Sequence, residues 1–495
     1  MEIELKLLLA PEDNDKLLQH PLLDAPPRVQ QLAARYFDTT DLHLMRHGAG
    51  LRVRKVDGVW MQTMKAGGSV QSGLHRRNEW EGPVDRCWPR LAKLRKLIGD
   101  DEQDQEWLSL LDLPDLKDRL EPLFLVDVER HLWEIETGGN RIEVALDIGH
   151  IERKGHKVPV NEIELELKEG DPAVLYAFAL QLLEDIPLRL SNINKAQRGY
   201  MLVRETGHAP YRAQAVSLDA DATLADALPA ILGNCLEHIQ HNEVAVVEGQ
   251  DPETLHQMRV GVRRLRSALK LFDTIAPCPP ALLEDVNWLG AELGAARDWD
   301  VMLSSTLARI DTAQLELQAL ALETAQAKRR EAAQALLSQR YTHLMLTMGS
   351  WMLQAAALLN GSAAQFSRQS MQQLHKSLMK RASRMQADDP ASAHRTRIAA
   401  KRARYALEFF HSLYRAKGTH TYLKALAAVQ EELGQHNDLA VANTLLQELA
   451  QQHPQSAGAI QFARGYLLAQ QATQPADLDA IRSRLHALRL PRISN

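Results

Sequence analysis

An internal duplication limits the fold of this chain more than any other feature. Residues 251–272 and 389–410 match at nine of 22 positions. The first copy carries Asp251-Pro252, His256, Arg259, Arg263-Arg264, Arg266 and Lys270, and ends at Phe272. The second carries Asp389-Pro390, His394, Arg397, Lys401-Arg402 and Arg404, and ends at Phe410. Asp as N-cap with Pro at the first helical position is a good helix start. His256, Arg259, Arg263 and Arg266 step by three, four and three residues, so they share one helix face. His394, Arg397, Lys401 and Arg404 repeat that stepping. A second match, Glu292-Leu293-Gly294 with Asp298 against Glu432-Leu433-Gly434 with Asp438, has an offset of 140 instead of 138. One intervening loop has therefore changed length. Two related helical units packed about a pseudo-two-fold axis are expected, and that axis can bring both stripes to one groove.

A helix face that stacks cations repels itself, and an anionic ligand relieves the repulsion. The bias is local. The whole chain has 58 Lys and Arg against 63 Asp and Glu, a formal net charge of −5. Aromatic residues at 5% weigh against stacking on single-stranded nucleic acid. Asp298 is expected to cap a helix or pair with the basic stripe. Cys87, Cys235 and Cys278 show no metal or redox spacing, which points to a reducing, cytoplasmic setting. The chain opens in a strand pattern without the features of a signal peptide. The most apolar stretch, 344–359, is interrupted by polar residues and predicts a buried helix, not a membrane span.

At 495 residues the chain exceeds one core, and its pattern changes near residue 205. Before it, alternation predicts strands over 2–9, 50–56, 59–65, 75–84, 125–136, 141–148 and 162–167. Residues 85–121 are expected to form a helical insertion. After it, stretches rich in Ala, Leu, Gln, Arg and Glu predict helices. The expected division is a first domain over 1–205, a Gly- and Pro-bearing linker over 206–216, and a helical domain over 217–495.

The strands carry charge on one face. Glu2, Glu4 and Lys6 alternate with Ile3, Leu5 and Leu7, and Glu162, Glu164 and Glu166 form a similar ladder. Asp57-Gly58 is a two-residue hairpin signal. It sets Arg54 opposite Met61, Arg52 opposite Thr63 and Gly50 opposite Lys65, so Arg52, Arg54 and Lys65 project together. A turn at Gly138-Gly139 sets Arg130 opposite Asp147, with Glu143 on the same face, if the loop is even; an odd loop breaks this pairing. A sheet curled into a barrel gathers both signs in its lumen. Cations around a polyphosphate, with carboxylates holding a divalent metal, suit such a lumen.

These residues resemble the CYTH family of triphosphate tunnel metalloenzymes. The resemblance rests on Glu2-x-Glu4-x-Lys6, Arg52-x-Arg54, Lys65, the segment ending at Glu79, Arg130, the segment ending at Asp147, the carboxylate strand, and Lys195 with Arg198. Residues 216–495 resemble the CHAD family, and the joint order resembles bacterial CYTH–CHAD inorganic triphosphatases. The resemblance implies an α+β chain: an eight-stranded antiparallel β-barrel tunnel with helices, then an all-α domain of two duplicated helical-bundle halves. It implies that Lys6, Arg52, Arg54, Lys65, Arg130, Lys195 and Arg198 hold phosphate oxygens. Glu2, Glu4, Glu164 and Glu166 would bind Mg²⁺ or Mn²⁺, with Asp147 and Glu79 completing the shell or holding the cations. Two of Glu162, Glu164 and Glu166 serve as ligands, the later two being favoured. Lys6 is either held protonated or positions water or the leaving group, with Tyr36 a further partner.

The implied activity is metal-dependent hydrolysis of inorganic triphosphate. The helical domain would bind long-chain polyphosphate through His256, Arg259, Arg263, Arg264, Arg266, Lys270, His394, Arg397, Lys401, Arg402 and Arg404, placing the protein in the cytoplasm or at polyphosphate granules. Binding is expected to strengthen as the two histidines gain charge below about pH 6.5. Alternatives are a nucleotidyl cyclase, a thiamine or nucleoside triphosphatase, and a non-catalytic granule adaptor.

Overall fold

The computed structural model describes residues 1–99, 101, 104–204, 209–249, 251–310, 315–386, 389–473 and 477–493. Residues 206–208 of the expected linker lie outside the described residues. The chain divides into two compact units, Met1–Gly207 with Ser338–Ser350, and His208–Leu337 with Trp351–Asn495.

Among the described residues the first unit holds nine antiparallel strands: β1 Glu2–Leu9, β2 Arg28–Asp38, β3 Ala49–Val56, β4 Val59–Gln71, β5 Leu74–Val84, β6 Glu121–Thr137, β7 Asn140–Arg153, β8 His156–Glu169 and β9 Leu188–Leu190. Their order is β5-β4-β3-β2-β6-β7-β8-β1-β9, and β1 also pairs with β5. Eight strands thus close into the expected barrel, and β9 is a short addition beside β1. Closure leaves those eight without the free edges that an open sheet presents.

Turn chemistry fixes the register. Asp57 and Gly58 both have positive φ, at 48° and 87°, as a tight two-residue hairpin requires. Gly138 and Gly139 do the same at 55° and 77°, so that loop is even and Arg130 lies opposite Asp147.

Alternation then divides each strand. Leu5, Leu7, Ile163 and Leu165 face outward and are fully buried, with the Ala173–Asp185 helix packed over β1 and β8. Helices Leu91–Ile98, Gln105–Leu110 and Leu116–Arg119 form the insertion between β5 and β6. Their Leu94, Trp107 and Leu110 share a core with Leu51, Val53 and Met64 of the barrel wall.

β2 is a strand that the charge pattern did not announce. Its lumen-side residues are Arg28, Gln30, Leu32, Ala34 and Tyr36. Leu32, Ala34 and Tyr36 join Phe124, Val126 and Val128 of β6 and Tyr200 in an apolar cluster. Arg28, at the first position of the strand, is followed on that face by uncharged residues, so no charged alternation marked it.

The second unit is helical. The Leu224–Gln240 and Ala363–Ala382 helices start side by side. Leu224 N donates to Gly361 O at 2.9 Å, and Ala363 N donates to Ala222 O at 3.0 Å. This reciprocal pair is what a pseudo-two-fold axis produces. The stripe helices are Pro252–Phe272 and Pro390–Phe409. Their closing aromatics meet, Phe272 and Phe410 having ring centroids 6.4 Å apart. Residues 344–358 belong to the Gln339–Leu358 helix, whose Leu344, Met345, Leu346 and Met348, within the Ser338–Ser350 segment of the first unit, are fully buried. Among the described residues no helix is long and apolar enough to cross a membrane.

Candidate functional site

The barrel encloses a cavity of about 970 Å³ lined by ionic side chains. Its wall includes Glu2, Glu4 and Lys6 of β1, Arg52 and Arg54 of β3, Lys65 of β4, and Arg77, Glu79 and Glu81 of β5. Arg130 of β6, Glu143 and Asp147 of β7, Glu164, Glu166 and Lys168 of β8, and Lys195 line it too, with Arg28 of β2 and Asp57 of the β3–β4 turn. The hairpin pairings of Arg52 with Thr63, Arg54 with Met61 and Gly50 with Lys65 are those counted from Asp57-Gly58.

Glu164 is the hub of one cluster. It sits opposite Lys6 in the β1–β8 ladder and forms an ion pair with it. It also accepts from Arg130 at 2.6 Å and from Lys195 at 2.9 Å. Burial opposes its charge, yet Lys195, Lys6 and Arg130 hold its carboxyl well below the usual range. Arg130 grips Asp147 through two hydrogen bonds of 2.7 Å each, the fork-on-carboxylate geometry peculiar to arginine. Lys6 is buried too. Burial disfavours its charge, but Glu164 and then Glu4, at 2.7 Å, raise its pKa.

Lys195 begins the Lys195–Arg204 helix. Asn194 accepts from Gln197 N at 2.9 Å and the Gln197 side chain accepts from Asn194 N at 3.0 Å, closing a capping box. The turn aims Lys195 at Asp147, at 2.7 Å, and at Glu162. Arg198, one turn on, pairs with Glu162 at 3.2 Å and also donates to Pro159 O. Neither Arg198 nor Glu162 lines the cavity. Glu162 is thus the shared counter-ion of Lys195 and Arg198, outside the lining.

A second group is a row of carboxylates. Glu4 lies opposite Glu166 and Glu166 opposite Glu143, with Glu2 two residues from Glu4 on the same face. Burial raises the Glu166 carboxyl, and Glu2 and Glu143 add to the rise against Lys168. Burial also raises Glu2, with Lys65 opposing and Glu4 and Glu79 adding. Glu4 differs: burial raises it most, but Lys6, with Lys65 and His75, together bring it down to about 2. These donors are all oxygen, which fits a hard divalent cation such as Mg²⁺ or Mn²⁺. Among the described residues no three such donors are gathered closely enough to form a metal cluster; Lys65 and Lys168 stand against the row.

Opposite the row are cations with unused capacity. The Nε atoms of Arg52 and Arg54 are buried with no hydrogen-bond partner. Arg52 reaches Glu79 only at 3.9 Å, whereas Arg54 holds Glu81 at 3.2 Å. Tyr36 lies opposite Arg52 in the β2–β3 ladder, and its hydroxyl, after burial, is the largest influence on that guanidinium. Arg77 lines the cavity without an ion pair among the described residues. Arg77 and Glu81 follow from Glu79 by the period of two and Lys168 follows from Glu166 in the same way, so the alternation carries a signal for all three; Glu143 is on the Arg130 face, as expected if the loop is even.

The helical unit also brings its stripes together. Arg259 pairs with Asp298 at 2.9 Å, the partner expected from the sequence. A Cβ on Gly294 would stand 3.7 Å from Arg259 Nη2, and one on Gly434 would stand 3.6 Å from Arg397 Nη2. Each repeat therefore lays its arginine over its own glycine. Lys401 is depressed to about 7 by burial and then by Arg397, Arg263, Arg259 and Arg404, so both stripes act on one ammonium. The Nε atoms of Arg263 and Arg397 are buried and unpartnered. Arg266, His394 and Arg402 are exposed.

Three expectations change. Arg264 turns into the core, donates to Asn234 at 2.7 Å and lies 5.4 Å over the Phe409 ring. Lys270 pairs locally with Asp273 at 2.7 Å. Burial and then Arg297 push His256 down to about 4 in the free protein, below the pH 6.5 expected of it.

A closed barrel with an ionic lumen, joined to a duplicated helical unit with paired basic stripes, defines the class of protein. The CYTH domain family matches residues 1–200, and the CHAD domain family matches residues 230–447. The chain belongs to both families, a CYTH domain fused to a CHAD domain. It is 34% identical over 204 residues to an inorganic triphosphatase of Haemophilus influenzae, a match covering 41% of this chain and 54% of that protein. The chain thus spans about half the length of that curated relative. The crystal structure of the CHAD domain from the plant Ricinus communis is 76% identical, with a TM-score of 0.57 over 58% of this chain and 100% of that one.

Proposed function

We propose that the first unit hydrolyses inorganic triphosphate and that the second binds polyphosphate. The observation that carries the first reading is the lumen itself: Arg52 and Arg54 with buried, unsatisfied donors across from a row of carboxylates, and Arg77, beside Glu2 in the β1–β5 ladder, without an ion pair among the described residues. Its likeness to an inorganic triphosphatase supports the same reading. A linear polyanion supplies oxygens for all three arginines, and their forks orient it.

Phosphoryl transfer needs positioning and charge stabilisation more than covalent help. Arg52, Arg54, Arg77 and Lys65 would grip phosphate oxygens. Lys6, held charged by Glu4 and Glu164, would act as a fixed positive charge, not a base. Glu2, Glu4, Glu143 and Glu166 would hold Mg²⁺ or Mn²⁺, which when bound supplies further charge neutralisation on the phosphate oxygens. Asp147 and Glu164 would position Arg130, Lys195 and Lys6. Glu79 would hold Lys65, at 3.7 Å, and Arg52. The paired stripes, with two unsatisfied guanidinium Nε atoms, support polyphosphate binding by the helical unit.

The test is phosphate release from tripolyphosphate, ATP and thiamine triphosphate with each metal. Tripolyphosphate is expected to be turned over fastest. Preference for either organic substrate would move the reading to the alternatives, and no release from any would leave a binding protein.

A further inference from the structure

The helical unit has a second basic feature that the duplication does not explain. A cavity of about 370 Å³ is lined by Ser377, Lys380, Arg381, Arg384, Ser392 and Arg395. Arg395 is two residues before Arg397, about 200° round the same helix, so the cavity opens away from the stripe.

The equivalent corner of the first repeat is filled. Aligning the helix starts places His238, His241, Asn242, Ala245, Thr254 and Gln257 at the matching positions. Thr254 Oγ1 donates to Asp251 O at 2.6 Å as Ser392 Oγ donates to Asp389 O at 2.5 Å, which confirms the equivalence. There His238 bonds Gln257 at 3.1 Å, and Tyr211 stacks on His241 at 4.3 Å between centroids. Asn242 holds the Tyr211 backbone through two hydrogen bonds of 3.0 Å. The second repeat exchanges these neutral, interlocked groups for four cations around open space. Among the described residues only Arg395 of the four has an ion pair, to Asp389 at 2.8 Å. Lys380 and Arg381 end a helix, where cations suit the dipole. Arg384 and Arg395 lie outside that turn, so the dipole does not account for the set.

We propose that this pocket is a separate anion site that takes the terminal phosphates of an inorganic polyphosphate, either free pyrophosphate or a chain end. Arg381 and Arg384 supply the forks, Lys380 a point charge, and Ser377 a neutral donor.

Lys380 is exposed and reports on the pocket. Acylation of Lys380 in the full-length protein, read by peptide mass spectrometry, is followed while pyrophosphate is titrated. Saturable protection is expected. In R381A/R384A the half-protecting concentration rises about 30-fold or more, while R397A/K401A leaves it unchanged. Arg384→Glu, a single exposed substitution, abolishes protection if the double variant does not fold. A long-chain polyphosphate at equal concentration of ends protects as well only if chain ends are the ligand. Three results would overturn the site: protection no greater than with sodium chloride of equal ionic strength, protection unchanged in the pocket variants, or protection lost in R397A/K401A.

Discussion

Arg130 meets Asp147 through two parallel hydrogen bonds of 2.7 Å, at a pair of positions directly opposite in the β6–β7 ladder. Asp147 is fully buried, and Lys195 shares it at 2.7 Å. Removing it leaves two buried cations short of a counter-charge. Asp147→Ala should therefore destabilise the barrel by about 3–5 kcal/mol, measured by urea unfolding. Burial would raise this carboxyl, but Lys195 and Arg130 hold it below its ordinary 3.8. A depressed folded value means its contribution is complete above 3.8 and is lost as pH falls through the lower, folded value. The acid limb of the unfolding profile should accordingly be shallower in Asp147→Asn than in the wild type.

Lys6 is flanked by Glu4 and Glu164, and its pKa is raised despite burial. A lysine that stays charged through the neutral range cannot take a proton from water. Lys6→Ala is expected to lower kcat/KM for tripolyphosphate by about 10²–10³. The alkaline limb of the wild-type pH–rate profile should show no break below pH 9 attributable to this group. A break near neutrality that vanishes in Lys6→Arg would give Lys6 a base role instead.

The parts of this arrangement that were legible in the sequence share one property: a charge sits on every second residue next to a turn of known length. Asp57-Gly58 set one register, Gly138-Gly139 left its register to the parity of the loop, which the structure shows to be even, and Glu2, Glu4 and Lys6 marked the lumen face. β2 escaped because, after Arg28 at its start, its inward residues are Gln30, Leu32, Ala34 and Tyr36, which carry no formal charge. The role of Glu162 was not readable either. It shares the face of Glu164 and Glu166, and the capped turn at Asn194, which brings Lys195 and Arg198 onto Glu162, separates it from them. In the helical unit the stepping identified the stripe face, yet Arg264, one residue beyond Arg263, points into the core as 100° per residue demands.

Glu2 and Glu166 carry raised pKa values from burial and from their acidic neighbours. Both must be deprotonated to ligate a cation. Mn²⁺ affinity should therefore rise with pH through the carboxylate range above 4.5 and then level off. Paramagnetic titration of Mn²⁺ checks this without substrate. Glu166→Gln should weaken the metal by about 100-fold and flatten the pH dependence. Glu162→Gln should leave Mn²⁺ affinity nearly unchanged, because Glu162 does not line the cavity.

Lys401 moves the expected pH dependence of the helical unit from the histidines to an amine. Its pKa is about 7 because it is buried and faces Arg397, Arg263, Arg259 and Arg404. A polyanion seated over the stripes screens those arginines and restores the lysine's charge. Binding then takes up a proton whenever the free groove holds Lys401 neutral. Affinity for long-chain polyphosphate should be highest below pH 7 and fall as pH rises through that value, with proton uptake visible in buffers of different ionisation heat. Lys401→Met should remove the dependence and reduce the slope of log affinity against log salt by about 1. His256, already neutral in this range at about 4, predicts no such change for His256→Ala. If the pH dependence survived Lys401→Met and disappeared in His256→Ala, the amine would not be the titrating group.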